Sequence, residues 1–295
     1  MSYKIDRILV PVDFSDISEI AIRTAAAMAK LFNVQLILLH VMEYKEYYFS
    51  VLPEAKLLMP HIDDLKIETR KKLDEMQSMI KSEMGIRPEI FITTGNIESE
   101  IRDYATKENV GLIIMGTHGV SGYKEIFIGS NAQRVVTLSE IPVLTITKEV
   151  SGGFRKIVLA FDNSLHSRQK VNIAAEIASI YKAEVHILGI LTDSDNEEKH
   201  KLKIKLHSVE NIITNRDLTF ITHILVAENM AKTALRYADE NKCDLMVINT
   251  GHESEITGVF LGAFAQQIVN HSNIPVLSVK PLEDSYSIAT PGFGV

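Results

Sequence analysis

The chain has one cysteine, Cys243, in 295 residues. A single thiol excludes an intrachain disulfide and fits a reducing compartment, so a cytoplasmic protein is expected. No apolar run reaches the roughly 18 residues that a bilayer crossing needs. Met1 to Arg7 lacks the apolar core of a secretory leader, so neither a membrane nor an export route is expected. Positive charge is not in surplus: 31 Lys and Arg stand against 38 Asp and Glu, a formal net charge of −7. Residues 1–150 carry 17 basic and 21 acidic side chains, and the remainder 14 and 17. Neither half has the clustered Lys and Arg of a nucleic-acid footprint, and no nucleic-acid partner is expected. Several catalytic signatures are missing as well. There is no H-E-x-x-H, no Cys/His cluster, no H-x-G-H and no Gly-Lys-Ser/Thr of a P-loop. Ser151-Gly152-Gly153 precedes a strand, whereas a pyrophosphate loop must follow one, so it reads as a linker.

What is present is a chain that says nearly the same thing twice. Arg7-Ile8-Leu9-Val10-Pro11-Val12-Asp13-Phe14-Ser15 recurs 149 residues on as Lys156-Ile157-Val158-Leu159-Ala160-Phe161-Asp162-Asn163-Ser164. Gln133 to Leu144 recurs 133 residues on as Gln266 to Leu277. The two offsets differ by 16, a net insertion in the first half, placed in Glu43 to Pro60 after Val41. A repeat of about 140 residues is a whole domain rather than a solenoid unit. Apolar residues make up 46%, ample for two cores. The expected division is a first domain over 1–150, a second over 154–281, and a polar tail over 282–295 that is a loose extension or an arm on a neighbouring surface.

Short continuous apolar runs alternate with helical patterns, the signature of parallel sheets covered on both faces. Strands are predicted at about 7–12, 34–41, 88–94, 110–115 and 143–147, with helices at 16–32, 61–84, 97–108 and 130–139. The second half repeats this with strands at about 155–161, 184–190, 219–226, 244–248 and 276–279, and helices at 165–182, 196–214, 229–241 and 263–272. The first helix has Ser15 or Asp16 as its cap and Ile20, Ala21, Ala25, Met28 and Leu31 on one side. The fold class is α/β: two tandem doubly wound domains, each a five-stranded parallel sheet flanked by helices. Ligands of such sheets sit beyond the carboxyl ends of the strands, where Asp13, Val41 and Gly116 all fall.

The most informative stretch follows the fourth strand. Gly116-Thr117-His118-Gly119 comes after Leu112-Ile113-Ile114-Met115, and after nine more residues Gly129-Ser130 open an amphipathic helix. Glycines admit close backbone approach, and a helix N-terminus presents free N–H groups and positive dipole to a phosphate. The G-x2-G-x9-G-S spacing therefore reads as a phosphate cradle. Taken alone, Gly116 and Gly119 are also what a tight turn needs, and Asp13 and Asp162 are also placed to cap helices.

Together with Val10-Pro11-Val12-Asp13-Phe14-Ser15 and Ile141-Pro142-Val143-Leu144, this pattern resembles the universal stress proteins, in a tandem form covering about 4–149 and 154–281. The resemblance implies an adenine nucleotide alpha hydrolase-like fold and ATP as ligand, with Mg²⁺ or Mn²⁺ arriving on the phosphates. It implies a site of Pro11, Val12, Asp13, Val41, Gly116, Thr117, His118, Gly119, Gly129, Ser130 and Asn131. Asp13 would lie near adenine or ribose, Val41 would offer backbone to the adenine edge, and the glycines, Ser130 and Asn131 would hold ribose and phosphates. His118 stays open between a phosphate contact and an outward loop residue. In the second half Asn249 replaces Gly116, His252 replaces Gly119, Ala263 replaces Ser130 and Ala160 replaces Pro11; Asp162 and Gly262 survive, and using Gly251 does not restore the spacing. ATP is thus expected in the first domain, with the second a degenerate partner or a site for another ligand.

The leading functional expectation is a nucleotide-binding stress or regulatory module with at most slow ATP hydrolysis, no catalytic residues and an unidentified regulatory partner. A dimer-like scaffold with an incidental nucleotide is one alternative. A nucleotidylyl transferase or ATP pyrophosphatase is another, though the motifs each requires are missing. The resemblance also predicts antiparallel pairing of Val143–Thr147 with Val276–Val279 and a dimer of chains. His200 and His207, among Lys199, Lys201, Lys203 and Lys205, read as a solvated helix face rather than metal ligands. The insertion, with Tyr44, Tyr47, Tyr48 and Phe49, stays open between a lid and a packing patch.

Overall fold

The computed structural model describes residues 3–43, 60–117, 128–150, 152–164, 170–193, 195–251 and 261–281. The first half contains β1 (Arg7–Pro11), α1 (Asp16–Phe32), β2 (Gln35–Glu43), α2 (Pro60–Met84), β3 (Glu89–Gly95), α3 (Ile97–Lys107), β4 (Leu112–Gly116), α4 (Ser130–Leu138) and β5 (Val143–Ile146). The second contains β6 (Lys156–Phe161), α5 (Val171–Tyr181), β7 (Glu184–Leu191), α6 (Asn196–Thr214), β8 (Phe220–Val226), α7 (Met230–Glu240), β9 (Leu245–Asn249), α8 (Ala263–His271) and β10 (Val276–Val279). The insertion beyond Glu43, His118, Gly119, residues 165–169 of the fifth predicted helix and the tail lie outside the described residues.

Within each half the strands pair in parallel, in the order β3-β2-β1-β4-β5 and its counterpart β8-β7-β6-β9-β10. Both faces of the sheet are apolar because side chains alternate along a strand. Ile8 and Val10 of β1 belong to one core with α1 and α2, while Leu9 belongs to the other with α3 and α4. The second half repeats this division, with α5 and α6 on the first face and α7 and α8 on the second. The inner strands are continuously apolar as a result, while the outer strands β3 and β8 leave Phe91 and Ile221 exposed.

The two halves join edge to edge. Val276 lies opposite Thr145, Leu277 opposite Leu144 and Ser278 opposite Val143, antiparallel as anticipated. Ten strands thus form one sheet, and two edges that would otherwise offer unpaired N–H and C=O groups cover each other. Thr145 Oγ1 donates to Val276 O across the join at 3.2 Å, and the Tyr181 ring packs on Phe32 at 5.8 Å and on Phe154 at 5.3 Å. The linker glycines are needed for conformation. Gly152 and Gly153 have φ of +81° and +79°, and a Cβ on Gly153 would stand 2.3 Å from Cε1 of Tyr181.

One expectation about α1 is corrected. Ala21, Ala25 and Met28 are fully buried, but Leu31 is 51% exposed and Ile20 only partly covered. At about 100° per residue the buried arc is centred on Ala25, and Leu31 and Ile20 fall more than 100° from it. Ile22, Ala26 and Ala29 occupy the arc instead.

Candidate functional site

The strand ends build the site. β1 stops at Pro11, and the chain continues alongside β2 for one more bond, from Val12 N to Leu39 O at 2.8 Å. The Leu39 carbonyl therefore points towards β1. Backbone direction alternates along a strand, so the N–H and C=O of Val41, two residues on, point to the same side, past the place where β1 ends. Pro11, Val12, Asp13, Val41, Gly116 and Asn131 line one cavity of about 90 Å³, and Ser18, His40 and Ile97 complete much of its wall.

Asp13 is exposed and does not itself cap α1, which corrects the capping reading. The N-cap is Ser15, whose hydroxyl accepts from Ser18 N at 3.3 Å. Asp13 holds that cap in place: its Oδ1 accepts from Ser15 N at 3.0 Å and from Ser15 Oγ at 2.6 Å. Asp162 braces Ser164 in the same way, at 3.1 and 2.6 Å. Phe14 between them takes φ of 63°, and its ring lies 4.8 Å from the ring of His40, whose Nδ1 is 2.7 Å from Val12 O. Ser18 and His40 thus shape the rim without having been singled out in the sequence. Their signal is faint: each sits within a few residues of a strand end and differs little from any polar residue there.

Gly116 has a packing reason of its own. A Cβ there would lie 2.8 Å from Cγ2 of Ile17 in the first turn of α1. The loop that follows is closed at its base, where Gly129 N donates to Thr117 O at 2.7 Å and buried Thr117 N donates to Ile146 O at 3.1 Å. The second half has a similar clasp with one acceptor a residue further along, from Gly262 N to Gly251 O at 3.1 Å and from Thr250 N to Val279 O at 3.0 Å. That explains why Gly262 survives there: a Cβ would stand 2.9 Å from Gly251 O.

Gly129 caps α4 without a side-chain acceptor, and α4 has no acidic residue in its first turn. The N–H groups of Ser130 and Asn131, both exposed, are left to an external acceptor. By contrast, α1, α3, α6 and α7 are capped by Ser15, Asn96, Asp195 and Asn229. The only other uncapped glycine start among the described helices is α8, at the equivalent place behind Gly262. Ile128 N, just before the cradle, donates to Asn270 Oδ1 of α8 at 3.1 Å, so the second half also holds the entry to α4.

A cavity of about 290 Å³ lies in the second half, where the glycine spacing is broken. It occupies the equivalent place between the ends of β6, β7 and β9 and the start of α8. Residues 118–127, between Thr117 and Ile128, and residues 252–260, between Gly251 and Leu261, lie outside the described residues. Among the described residues, no group of three or more His, Cys, Asp or Glu is arranged to hold a metal. His200 and His207 are exposed, as anticipated.

Two doubly wound α/β halves, each with a rim site beyond its strand ends, define the class of protein. The sequence profile of the universal stress protein family matches residues 4–147 and again 153–280. The chain belongs to the universal stress protein family. Over 162 residues the chain is 33% identical to universal stress protein MJ0577 of Methanocaldococcus jannaschii, covering 51% of this chain and all of that one. Universal stress protein YxiE of Bacillus subtilis is 32% identical over 145 residues, 48% of this chain and 98% of that one. A universal stress protein structure from Archaeoglobus fulgidus shares the fold over 96% of this chain and 99% of its own, with a TM-score of 0.72 at 22% identity. No described helix is long and apolar enough to cross a membrane.

Proposed function

We propose that the first half is an ATP-binding regulatory module. The observation that carries this reading is convergence: Asp13, the Val41 backbone and Gly116 meet around one cavity, and Asn131 brings the uncapped start of α4 to the same rim. Pro11 and Val12 form the floor. Asp13 accepts hydrogen bonds from the ribose, Val41 offers N–H and C=O to the adenine edge, and Gly129, Ser130 and Asn131 donate to phosphate oxygens. Thr117, His118 and Gly119 belong to the loop over the phosphates. Mg²⁺ arrives with the phosphates and keeps water among its ligands, since Asp13 is the one carboxylate among the described residues lining the cavity. ATP favours one conformation of the protein and thereby changes how it meets a partner protein. The tandem chain already covers its own inner edges, and two such chains associate as a dimer.

The test is equilibrium binding of ATP with Mg²⁺ to Asp13→Ala and Asp162→Ala. Each variant loses the same two carboxylate–serine hydrogen bonds. The reading expects ATP binding to weaken at least tenfold in the first and to persist in the second. Equal effects would reduce Asp13 to a local structural role and favour a scaffold with an incidental nucleotide.

A further inference from the structure

The second half departs from the first in two substitutions that meet in space. Asn249 stands where Gly116 stands, at the end of the fourth strand of its half. Lys170 stands where Ala21 stands, by the 149-residue offset, just ahead of α5. Lys170 Nζ donates to Asn249 Oδ1 at 2.8 Å and lies 4.4 Å from the centroid of the Phe161 ring. The lysine is 2% exposed, one of the largest fully buried side chains of the protein. An ammonium kept from water is costly, and a lost glycine site needs no such group; simple decay would have left a small or apolar residue.

The cavity beside it has the opposite character to a phosphate cradle. Ser130 is replaced by Ala263 and Asn131 by Phe264, so the side-chain hydroxyl and amide donors at the helix start are gone and backbone N–H groups remain behind Gly262. Phe161, Ile190, Met230 and Phe264 give an apolar wall. Among the described lining residues, Asp162 and Lys170 are the charged ones, and Asp162 is held by Ser164. One buried cation matches the single charge of a monocarboxylate, and the side-chain donors that a phosphate dianion would call on are absent here. At about 30 Å³ per water-sized group, the cavity of about 290 Å³ holds roughly ten non-hydrogen atoms.

We propose that this cavity is a binding site for a small organic monocarboxylate, with Lys170 and Asn249 meeting its carboxylate and the Phe161, Ile190, Met230 and Phe264 wall holding its carbon body. The site is independent of nucleotide in the first half. Burial pulls the Lys170 amine down to about 7, with Asp162, just past the end of β6, opposing that shift and Lys205 on α6 adding to it. A bound carboxylate recruits the charged amine, so its affinity falls about tenfold per pH unit above that point.

The test uses the full chain and two probes of about the right size, phenylacetate and its neutral isostere phenylacetamide, titrated calorimetrically. The expected result is saturable binding of phenylacetate at least tenfold tighter than the amide at pH 6.5, with the preference shrinking by pH 8.5. Lys170→Met is expected to remove the preference while leaving the circular dichroism spectrum unchanged. Equal affinities for acid and amide, or a preference that survives Lys170→Met, overturn the proposal. So does an absence of saturable phenylacetate binding up to about 10 mM, a concentration that reaches even very weak sites. Should Lys170→Met not fold, the acid–amide comparison on the unaltered chain decides.

Discussion

Replacing Gly116 with alanine puts a methyl carbon 2.8 Å from Cγ2 of Ile17, 3.1 Å from its Cγ1 and 3.3 Å from its backbone carbonyl carbon. Rotating the Ile17 side chain relieves the first two contacts and not the third, so the start of α1 has to lift from the end of β4. Overpacking of this kind costs ~1–3 kcal/mol, which lowers the Tm of a unit this size by roughly 2 to 12 °C. Ile17→Ala removes both offending side-chain atoms. Thermal and urea unfolding of the parent, the two single variants and the double variant gives the coupling between the sites. The double variant is expected to lose less stability than the two single variants summed, by ~1 kcal/mol or more. Additive losses would refute the packing role of Gly116. The same four proteins titrated with ATP separate packing from ligand approach. Affinity is expected to stay reduced in the double variant, because the added methyl still stands on the cavity rim.

Lys170 makes stability depend on pH in a direction that can be stated beforehand. Its folded pKa of about 7 lies below the value of an unfolded lysine, so between those two values the unfolded chain binds one more proton. Stability contributed by this group therefore rises with pH above 7, by up to ~1.4 kcal/mol per unit, and the burial penalty is full below 7. The difference in unfolding free energy between the parent and Lys170→Met, followed from pH 6.5 to 9.5, is expected to move in that direction; a flat difference would contradict the burial of the charge. Cys243 is 4% exposed, and burial, aided by Asp244, pushes its thiol up to about 12. Ellman's reagent is expected to label it only on unfolding, and rapid labelling of the native protein would contradict that. Light scattering is expected to give twice the chain mass, and a mass of one chain at working concentration would contradict the dimer.

Much of the fold was legible because it rests on patterns that tertiary context does not overturn. The recurrence of Arg7–Ser15 at Lys156–Ser164 announces two domains. The apolar strands with short links between them leave a doubly wound sheet as the solution, and the final strands pair at the join. The rim was legible for the same reason, since Asp13, Val41 and Gly116 each lie within two residues of a strand end. What escaped the sequence depends on atoms from distant elements. Leu31 fits a loose apolar stripe, yet only the helix's rotation against the sheet shows it facing water. Ser15 is one of the two expected caps, but the sharp turn at Phe14, with φ of 63°, makes Asp13 its brace rather than a cap. Gly116 reads as a ligand-approach glycine, and its contact with Ile17 is visible only once α1 lies on β4. Lys170 left a signal that went unread: a long basic side chain at the repeat position of a fully buried alanine, opposite a glycine changed to asparagine.

The central claim is that the two halves share a scaffold and not a ligand. Calorimetric titration of the nucleotide-stripped chain with ATP and Mg²⁺ tests it most directly, through stoichiometry. One ATP per chain is predicted, bound at the half that keeps Gly116, Gly129 and Ser130. Two per chain would show that Asn249 and Ala263 leave the second site competent, and none would remove ATP from the account of the first.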